Sequence, residues 1–127
     1  LSDEFLGSAH LLPLTHTATR MPADVVIAQP GLHSEFLRRC RPVDIGGHVA
    51  PLISVEDLVV TKVLAARRKD LEDVRGVLLE QWGSMDFEYV ERVLAARMIA
   101  LDDPRLAPRF ARVVRQVERL LDQPPRR

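Results

Sequence analysis

Residues 54–73, which read SVEDLVVTKVLAARRKDLED, decide how this chain folds. Ser54 followed by Asp57 is the pattern of a helix N-cap with an acid three positions later. The apolar residues that follow recur at helical spacing, which predicts a helix that stops or bends at the basic turn 67–69. A second helix is predicted over about residues 70–82. The helical part of the chain is therefore expected to begin at residue 54.

Two further helices are expected downstream. Gly83 fits the C′ position that ends the second helix, because glycine adopts the left-handed conformation at little cost. A third helix is predicted over residues 86–101, and Asp103-Pro104 is the N-cap and N1 pair expected to open the fourth. The fourth helix is expected to end before Pro124-Pro125, which leaves residues 123–127 as a frayed tail.

The sequence before residue 54 predicts short strands and loops. The run LLPL at residues 11–14 is expected to form an edge or irregular strand, because proline cannot donate to a sheet ladder. Residues 24–27 are typical of a better strand, followed by a turn at 29–31 and a short helix over 32–39. Gly46-Gly47 between two apolar runs indicates a β-hairpin, since a tight primed turn requires positive φ angles.

Length and composition predict a single folded domain over residues 1–127. The elements above predict an α+β fold, with strands and a hairpin in residues 1–53 and helices in residues 54–122. The formal net charge is zero, so the whole molecule has no electrostatic attraction to nucleic acid or a membrane surface. Cys40 is the only cysteine, which excludes an internal disulfide. No apolar run is long enough to span a bilayer, and we expect a cytoplasmic protein without a membrane partner.

Lys62 lies in the middle of the apolar face of the first predicted helix, among Val55, Leu58, Val59 and Ala66. Lysine is almost never fully buried without a partner, so this position requires an explanation. Either its stem crosses the core and its ammonium reaches water, or it is a functional lysine in a cleft. The sequence geometry alone favours neither alternative.

Asp70 and Asp73 lie one turn apart at the start of the second predicted helix. Acids in a first helical turn interact favourably with the helix dipole and cap free N–H groups. These two are also placed to pair with Arg67, Arg68 or Arg75. On chemical grounds alone, both are ordinary helix-start acids.

The order of these segments resembles a known family. A lysine in an apolar helix, a basic turn and then Lys-Asp-Leu-x-Asp at 69–73 is similar to the signature of the nucleotidyltransferase-fold toxins of abortive-infection systems (AbiEii-like) and of their uncharacterised bacterial relatives. The preceding segments MPADVV (21–26), PGL (30–32) and ISVEDL (53–58) support the match, together with the glycine hairpin. The resemblance covers residues 21–79 and implies that the chain is the C-terminal part of such a domain.

This resemblance implies a nucleotidyltransferase-like mixed sheet, here partial, followed by about four helices. It also implies a Gly-Ser turn, an Asp-x-Asp pair and a third carboxylate, which together hold Mg²⁺ against the phosphates of a nucleoside triphosphate. By motif position, Asp24 matches the third carboxylate and is expected to be a catalytic, metal-binding residue. Lys62 matches the catalytic lysine that contacts the nucleotide phosphates, and Asp70 and Asp73 match the aspartates of that nucleotide-binding segment. Without the resemblance, Asp24 would be an ordinary acid at a strand start.

The sequence departs from the family pattern before Asp24. No Asp-x-Asp or Asp-x-Glu pair precedes it, Gly7-Ser8 is not followed by suitable acids, and Val26 stands where a second acid is required. One carboxylate cannot hold two magnesium ions in the required geometry. We therefore expect this chain alone to lack nucleotide transfer, unless a segment that precedes Leu1 supplies the pair.

Five arginines of the fourth predicted helix lie within an arc of about 120° on a helical wheel. They are Arg105, Arg109, Arg112, Arg115 and Arg119. Such a stripe is usually a solvated basic face, and that interpretation is preferred here. The alternative is a surface that contacts the phosphates of RNA or DNA, or that docks an acidic partner.

Two functions remain open. In the first, the intact protein is a Mg²⁺-dependent nucleotidyltransferase that acts on a nucleic acid such as tRNA or on a protein. By resemblance it would also be a toxin neutralised by an antitoxin-like partner. Alternatively, the chain is a catalytically incomplete module that binds nucleic acid or a protein without turnover. A dimerising helical domain with no ligand would leave Lys62 unexplained.

Overall fold

The computed structural model describes residues 11–28, 30–122 and 124, and the chain divides after Arg39 into two compact units. Gly7-Ser8 lies outside the described residues, as does the predicted tail apart from Pro124. The boundary between the units falls inside the region that the sequence assigns to strands and hairpin.

The first unit contains a two-stranded antiparallel ribbon. Strand β1 (Leu11–Thr15) pairs with β2 (Pro22–Val26), so that Leu11 lies opposite Val26 and Pro13 lies opposite Asp24. Each strand of a two-stranded sheet is an edge, which is where proline is tolerated. The predicted edge strand is therefore confirmed, although both strands are largely exposed and bury little apolar surface.

A short helix, α1 (Leu32–Arg39), completes the first unit. It begins after Gly31, whose φ of 95° is accessible to glycine at no steric cost. Phe36 is the buried residue of this helix. The sequence predicted this helix with the same bounds.

The second unit opens with the predicted hairpin. Strand β3 (Arg41–Ile45) pairs antiparallel with β4 (His48–Leu52). Gly46 and Gly47 have φ angles of 60° and 87°, as a primed two-residue turn requires. Asp44 stabilises the turn, because its Oδ1 atom accepts a hydrogen bond of 2.8 Å from the Gly47 N–H.

Four helices follow the hairpin. Their bounds are α2 (Val55–Ala65), α3 (Arg68–Gln81), α4 (Phe87–Leu101) and α5 (Leu106–Leu121). Ser54 caps α2 as predicted, since its Oγ atom accepts from the Asp57 N–H at 3.1 Å. Asp86 caps α4 in the same way, through the Tyr89 N–H at 2.9 Å.

The predicted helix end at Gly83 is confirmed in position but not in backbone conformation, and the predicted start of the last helix is wrong. Gly83 follows α3 without a positive φ angle, because a further turn continues from Gln81, whose carbonyl accepts the N–H groups of Ser84 and Met85, each at 3.0 Å. Helix α5 begins at Leu106 rather than at Pro104. The Asp103 carboxylate instead accepts hydrogen bonds from the backbone N–H and the guanidinium of Arg105, so it does not cap the helix.

The core of the second unit lies between the four helices. Its buried apolar side chains include Val59, Val63, Val74, Leu78, Phe87, Val90, Leu94, Phe110 and Val117. Trp82 packs edge-on against Phe87 with ring centroids 5.2 Å apart. One buried polar contact joins α2 to α4: the Tyr89 hydroxyl donates to Asp57 Oδ1 at 2.6 Å.

The predicted α+β class is confirmed. The strands form two separate antiparallel pairs, and four helices follow the second pair, which is consistent with a partial nucleotidyltransferase-like fold. Within residues 11–28, 30–122 and 124, none of the helices combines the length and the apolar content needed to cross a bilayer.

Candidate functional site

The corner between α2 and α3 brings one lysine against two aspartates. Lys62 lies in the last turn of α2, and Ala66 ends that helix with a left-handed backbone (φ 57°) whose N–H donates to the Lys62 carbonyl at 2.9 Å. Across the corner, Lys62 Nζ lies 2.7 Å from Asp73 Oδ2 and 3.5 Å from Asp70 Oδ1. These three residues and Arg67 are called the Lys62 cluster.

Helix polarity stabilises both ends of this corner. The C-terminal turn of a helix carries partial negative charge, and Lys62 occupies that turn of α2. The N-terminal turn carries partial positive charge, and Asp70 occupies that turn of α3. Each charge therefore lies where its own helix favours it, and the corner then brings the two opposite charges together.

Asp70 is the buried acid of the cluster. Its side chain is 2% exposed, and it accepts hydrogen bonds from Arg67 Nε at 2.7 Å, Arg67 Nη2 at 3.2 Å and the Arg67 backbone N–H at 3.2 Å. These bonds offset the loss of hydration that burial imposes on a carboxylate. The hydrogen bonds from Arg67 hold the pKa of Asp70 below its ordinary value, with a smaller contribution from the charge of Lys62. The expected pairing of this helix-start acid with Arg67 is confirmed.

Lys62 is partly buried, with 28% of its side chain exposed. Its hydrogen bond to Asp73 raises the pKa of the ammonium against the opposing effect of burial. The structure combines features of both sequence interpretations: the stem lies on the apolar face of α2, and the ammonium is held by carboxylates at the edge of a groove. Asp73, 40% exposed, pairs with Lys62 rather than with an arginine.

A groove of about 680 Å³ runs between α2 and α3 beside the cluster. Lys62 and Asp73 are among its polar lining residues, and its walls are mostly apolar. The apolar and glycine lining consists of Val55, Leu58, Val59, Val74, Gly76 and Val77, with Glu72, Glu80 and Gln81 as further polar residues. Its volume lies within the range of small-molecule sites, about 300–1,000 Å³.

Asp24 lies in the first unit, on the exposed strand β2. Its register partner is Pro13 of β1. Asp24 and Lys62 belong to different units, so their convergence on one cleft stays a prediction.

The described residues do not supply the magnesium site that the resemblance implies. Within that part of the chain, no three histidine, cysteine, aspartate or glutamate side chains are grouped so that they could hold a metal ion. Asp24 is a single exposed carboxylate, whereas Mg²⁺ takes near-octahedral oxygen coordination. Asp73 and Asp70 are both ion-paired with the Lys62 ammonium.

The five predicted arginines have different environments. Arg105 precedes α5 and bonds Asp103 through Nε at 2.8 Å, which lowers the pKa of Asp103 to about 2. Arg109 is partly buried and donates from Nη1 to the Val63 carbonyl at 3.2 Å, near the end of α2. The other three, Arg112, Arg115 and Arg119, lie on the exposed side of α5.

One arginine was missed by the helical wheel. Arg75 of α3 lines a groove together with Gln116, Arg119 and Leu120 of α5. A helical wheel drawn for one helix cannot predict this groove, because the groove depends on how α3 packs against α5. The sequence placed Arg75 only as a neighbour of Asp70 and Asp73.

Comparison with known proteins gives one match. The model of a family described as nucleotidyltransferase of unknown function (DUF6036) matches residues 9–116. Neither the curated proteins nor the solved structures contain a significant match to the chain. The matched range includes both Asp24 and the whole Lys62 cluster.

Proposed function

The chain belongs to this nucleotidyltransferase family, and from that premise we propose that it forms part of a protein that transfers a nucleotide from a nucleoside triphosphate to a nucleic-acid or protein acceptor in the cytoplasm. The observation that carries the proposal is the Lys62 cluster beside the α2–α3 groove. A toxin function of the AbiEii type, restrained by an antitoxin-like protein, is the biological role that the sequence resemblance adds.

In this proposal Lys62 contacts the triphosphate. An ammonium has three N–H donors, and Asp73 and Asp70 stand within reach of two of them. Asp73 is the more exposed acid, so it is the one that an incoming phosphate displaces. Asp70, held by Arg67, keeps the lysine in place during that exchange. The apolar walls of the groove then suit the base or sugar of the nucleotide.

The cluster alone is not an anion site. Lys62 and Arg67 are balanced by Asp70 and Asp73, so the four side chains carry no net charge. Binding a triphosphate therefore requires further positive charge from elsewhere in the protein. Magnesium, with Asp24 as one ligand, is proposed on the resemblance only, because the described residues supply no complete site.

A second candidate is the catalytically incomplete module, which binds a nucleotide, nucleic acid or protein without turnover. One observation favours it: the described residues offer no group of metal-binding side chains. The two candidates share the Lys62 site and differ in turnover, so binding and transfer must be measured separately.

Nucleotide binding is tested with the two lysines of the chain. Lys62 and Lys69 are the only lysines, and Lys69 is exposed in the same corner. A fluorescent ATP analogue with Mg²⁺ is titrated into the chain, Lys62→Met and Lys69→Met. We expect Lys62→Met to weaken binding by roughly tenfold or more, since a charge-assisted hydrogen bond contributes about 1.5–3 kcal/mol. Equal weakening by both substitutions would refute the Lys62 assignment, whereas no binding by the unmodified chain would mean that the further positive charge comes from outside this chain.

Transfer is tested with radiolabelled nucleoside triphosphates, Mg²⁺, and total tRNA or the chain itself as acceptor. Incorporation that disappears in Asp24→Asn supports a complete enzyme with Asp24 as a metal ligand. Nucleotide binding without incorporation supports the incomplete module. Incorporation that survives both Asp24→Asn and Lys62→Met shows that neither residue takes part in transfer.

A further inference from the structure

One exposed flank of α5 forms a basic surface with α3. A groove of about 320 Å³ between these helices is lined by Arg75, Gln116, Arg119 and Leu120. Arg75 and Arg119 are both exposed, as is Arg112 two turns before Arg119. Arg75, Arg112, Gln116 and Arg119 are called the α3–α5 basic surface.

No acid of the described residues neutralises the charges of this surface. Within the described part of the chain, Arg75, Arg112 and Arg119 form no ion pair, and no acid lines the groove. The other arginines of the stripe differ, because Arg105 is bound by Asp103 and Arg109 by a backbone carbonyl. Since the whole chain has zero formal net charge, the basic surface is a local feature.

The spacing of the surface fits a repeating anion. Arg112 and Arg119 are seven residues apart, which is about 10.5 Å along a helix. Duplex nucleic acid carries one negative charge per about 1.7 Å of axis, so that length presents about six phosphates on its two strands. Guanidinium groups match phosphate oxygens in a bidentate geometry, and the Gln116 amide adds a neutral donor.

The surface has little of the apolar character expected of a protein interface. Among the described residues, Leu120 is the only apolar one that lines the groove, whereas the cores of protein–protein interfaces are apolar and rich in aromatic residues. We propose that the α3–α5 basic surface binds the phosphate backbone of a polynucleotide, with Arg75, Arg112 and Arg119 as the three phosphate contacts. Arg115 is excluded from the contacts because it lines a separate groove with Glu91. The proposal does not depend on nucleotide transfer or on Lys62.

Salt-dependent binding to a fluorescein-labelled DNA duplex of mixed sequence tests the proposal, measured by anisotropy on the full chain. Three contacts predict a slope of about −2.7 in log affinity against log salt, or about a 40-fold loss between about 50 and 200 mM salt. In the double variant Arg75→Gln/Arg119→Gln, one contact remains, and the loss falls to about 3.5-fold. Arg75→Lys/Arg119→Lys keeps both charges and is expected to keep the slope while binding more weakly.

Arg92→Gln is the matched control, because it removes the same charge from an exposed position on α4, a helix that does not line the groove. It is expected to leave the slope unchanged. The proposal is overturned if the unmodified chain shows no salt-sensitive binding, or if Arg92→Gln flattens the slope as much as the double variant. It is also overturned if poly-L-glutamate competes as well as the duplex, which would assign the surface to an acidic protein.

Discussion

Replacing Tyr89 with phenylalanine removes a single hydroxyl from the contact between α2 and α4. That hydroxyl donates to Asp57 Oδ1 at 2.6 Å, and Asp57 is fully buried. The aromatic ring remains, together with its contact to Arg92, whose guanidinium carbon lies 5.7 Å from the ring centroid. The substitution therefore removes the hydrogen bond that this hydroxyl donates to a buried carboxyl group.

The expected cost follows from the length and burial of that bond. Hydrogen bonds to charged groups contribute about 1.5–3 kcal/mol, and a 2.6 Å O···O distance is typical of the charge-assisted kind. Water cannot replace the lost donor at a buried oxygen, but Asp57 retains another interaction. We therefore expect the free energy of unfolding to fall by about 2 kcal/mol, which lowers Tm by about 8–16 °C in a folding unit of under about 100 residues such as the second unit.

Urea and thermal unfolding followed by far-UV circular dichroism measure the loss. Thr61→Val is the matched control, because the Thr61 hydroxyl donates only to a carbonyl of its own helix, Asp57 O at 2.9 Å, and the residue is exposed. Its expected cost is under about 0.5 kcal/mol. If Tyr89→Phe costs no more than Thr61→Val, the Tyr89 hydroxyl does not stabilise the α2–α4 contact as argued.

Three other predictions follow, two from the structure and one from the family resemblance. The pKa of Asp70 is lowered in the folded state, so its stabilisation is present above its ordinary pKa of 3.8 and is lost as pH falls through the folded value. Asp70→Asn should therefore lower Tm at pH 7 and reduce the further drop on acidification, whereas the exposed control Glu72→Gln should do neither. Gly76→Ala should raise the free energy of unfolding by about 0.5–1 kcal/mol in urea titrations, since Gly76 is helical and an added Cβ meets no atom of another part of the structure within 4 Å. A lower free energy of unfolding would contradict this prediction. Asp24 and Lys62 should face one cleft in a crystal structure of the chain, and side chains on opposite faces would rule out their shared site.

Local signals account for the parts of the fold that the sequence predicts correctly. The Ser54 cap and the Gly46-Gly47 turn each depend on residues within three positions of one another, so their partners can be read directly from the chain. The wrong start of α5 is also local, but there the expected capping group had a competing partner. Asp103 bonds the backbone and guanidinium of Arg105 instead of capping α5.

The candidate site shows the limit of such reasoning. Sequence identified Lys62, Asp70 and Asp73 as neighbours along two helices, but the ion pair between Lys62 and Asp73 joins residues 11 positions apart and depends on the left-handed turn at Ala66. The contact of Arg109 with the Val63 carbonyl spans 46 positions. Such pairs depend on how helices pack, and periodicity within one helix contains no information about that packing.

Trp82 is an intrinsic fluorescent probe of the second unit. It is the only tryptophan of the chain, it is buried against Phe87, and its indole N–H donates to the Pro124 carbonyl at 3.3 Å. Intrinsic tryptophan fluorescence therefore reports the second unit alone, whereas the helical dichroism signal sums both units. Coincident transitions in the two signals would mean that the units melt as one cooperative body, and separated transitions would give each unit its own stability without any label.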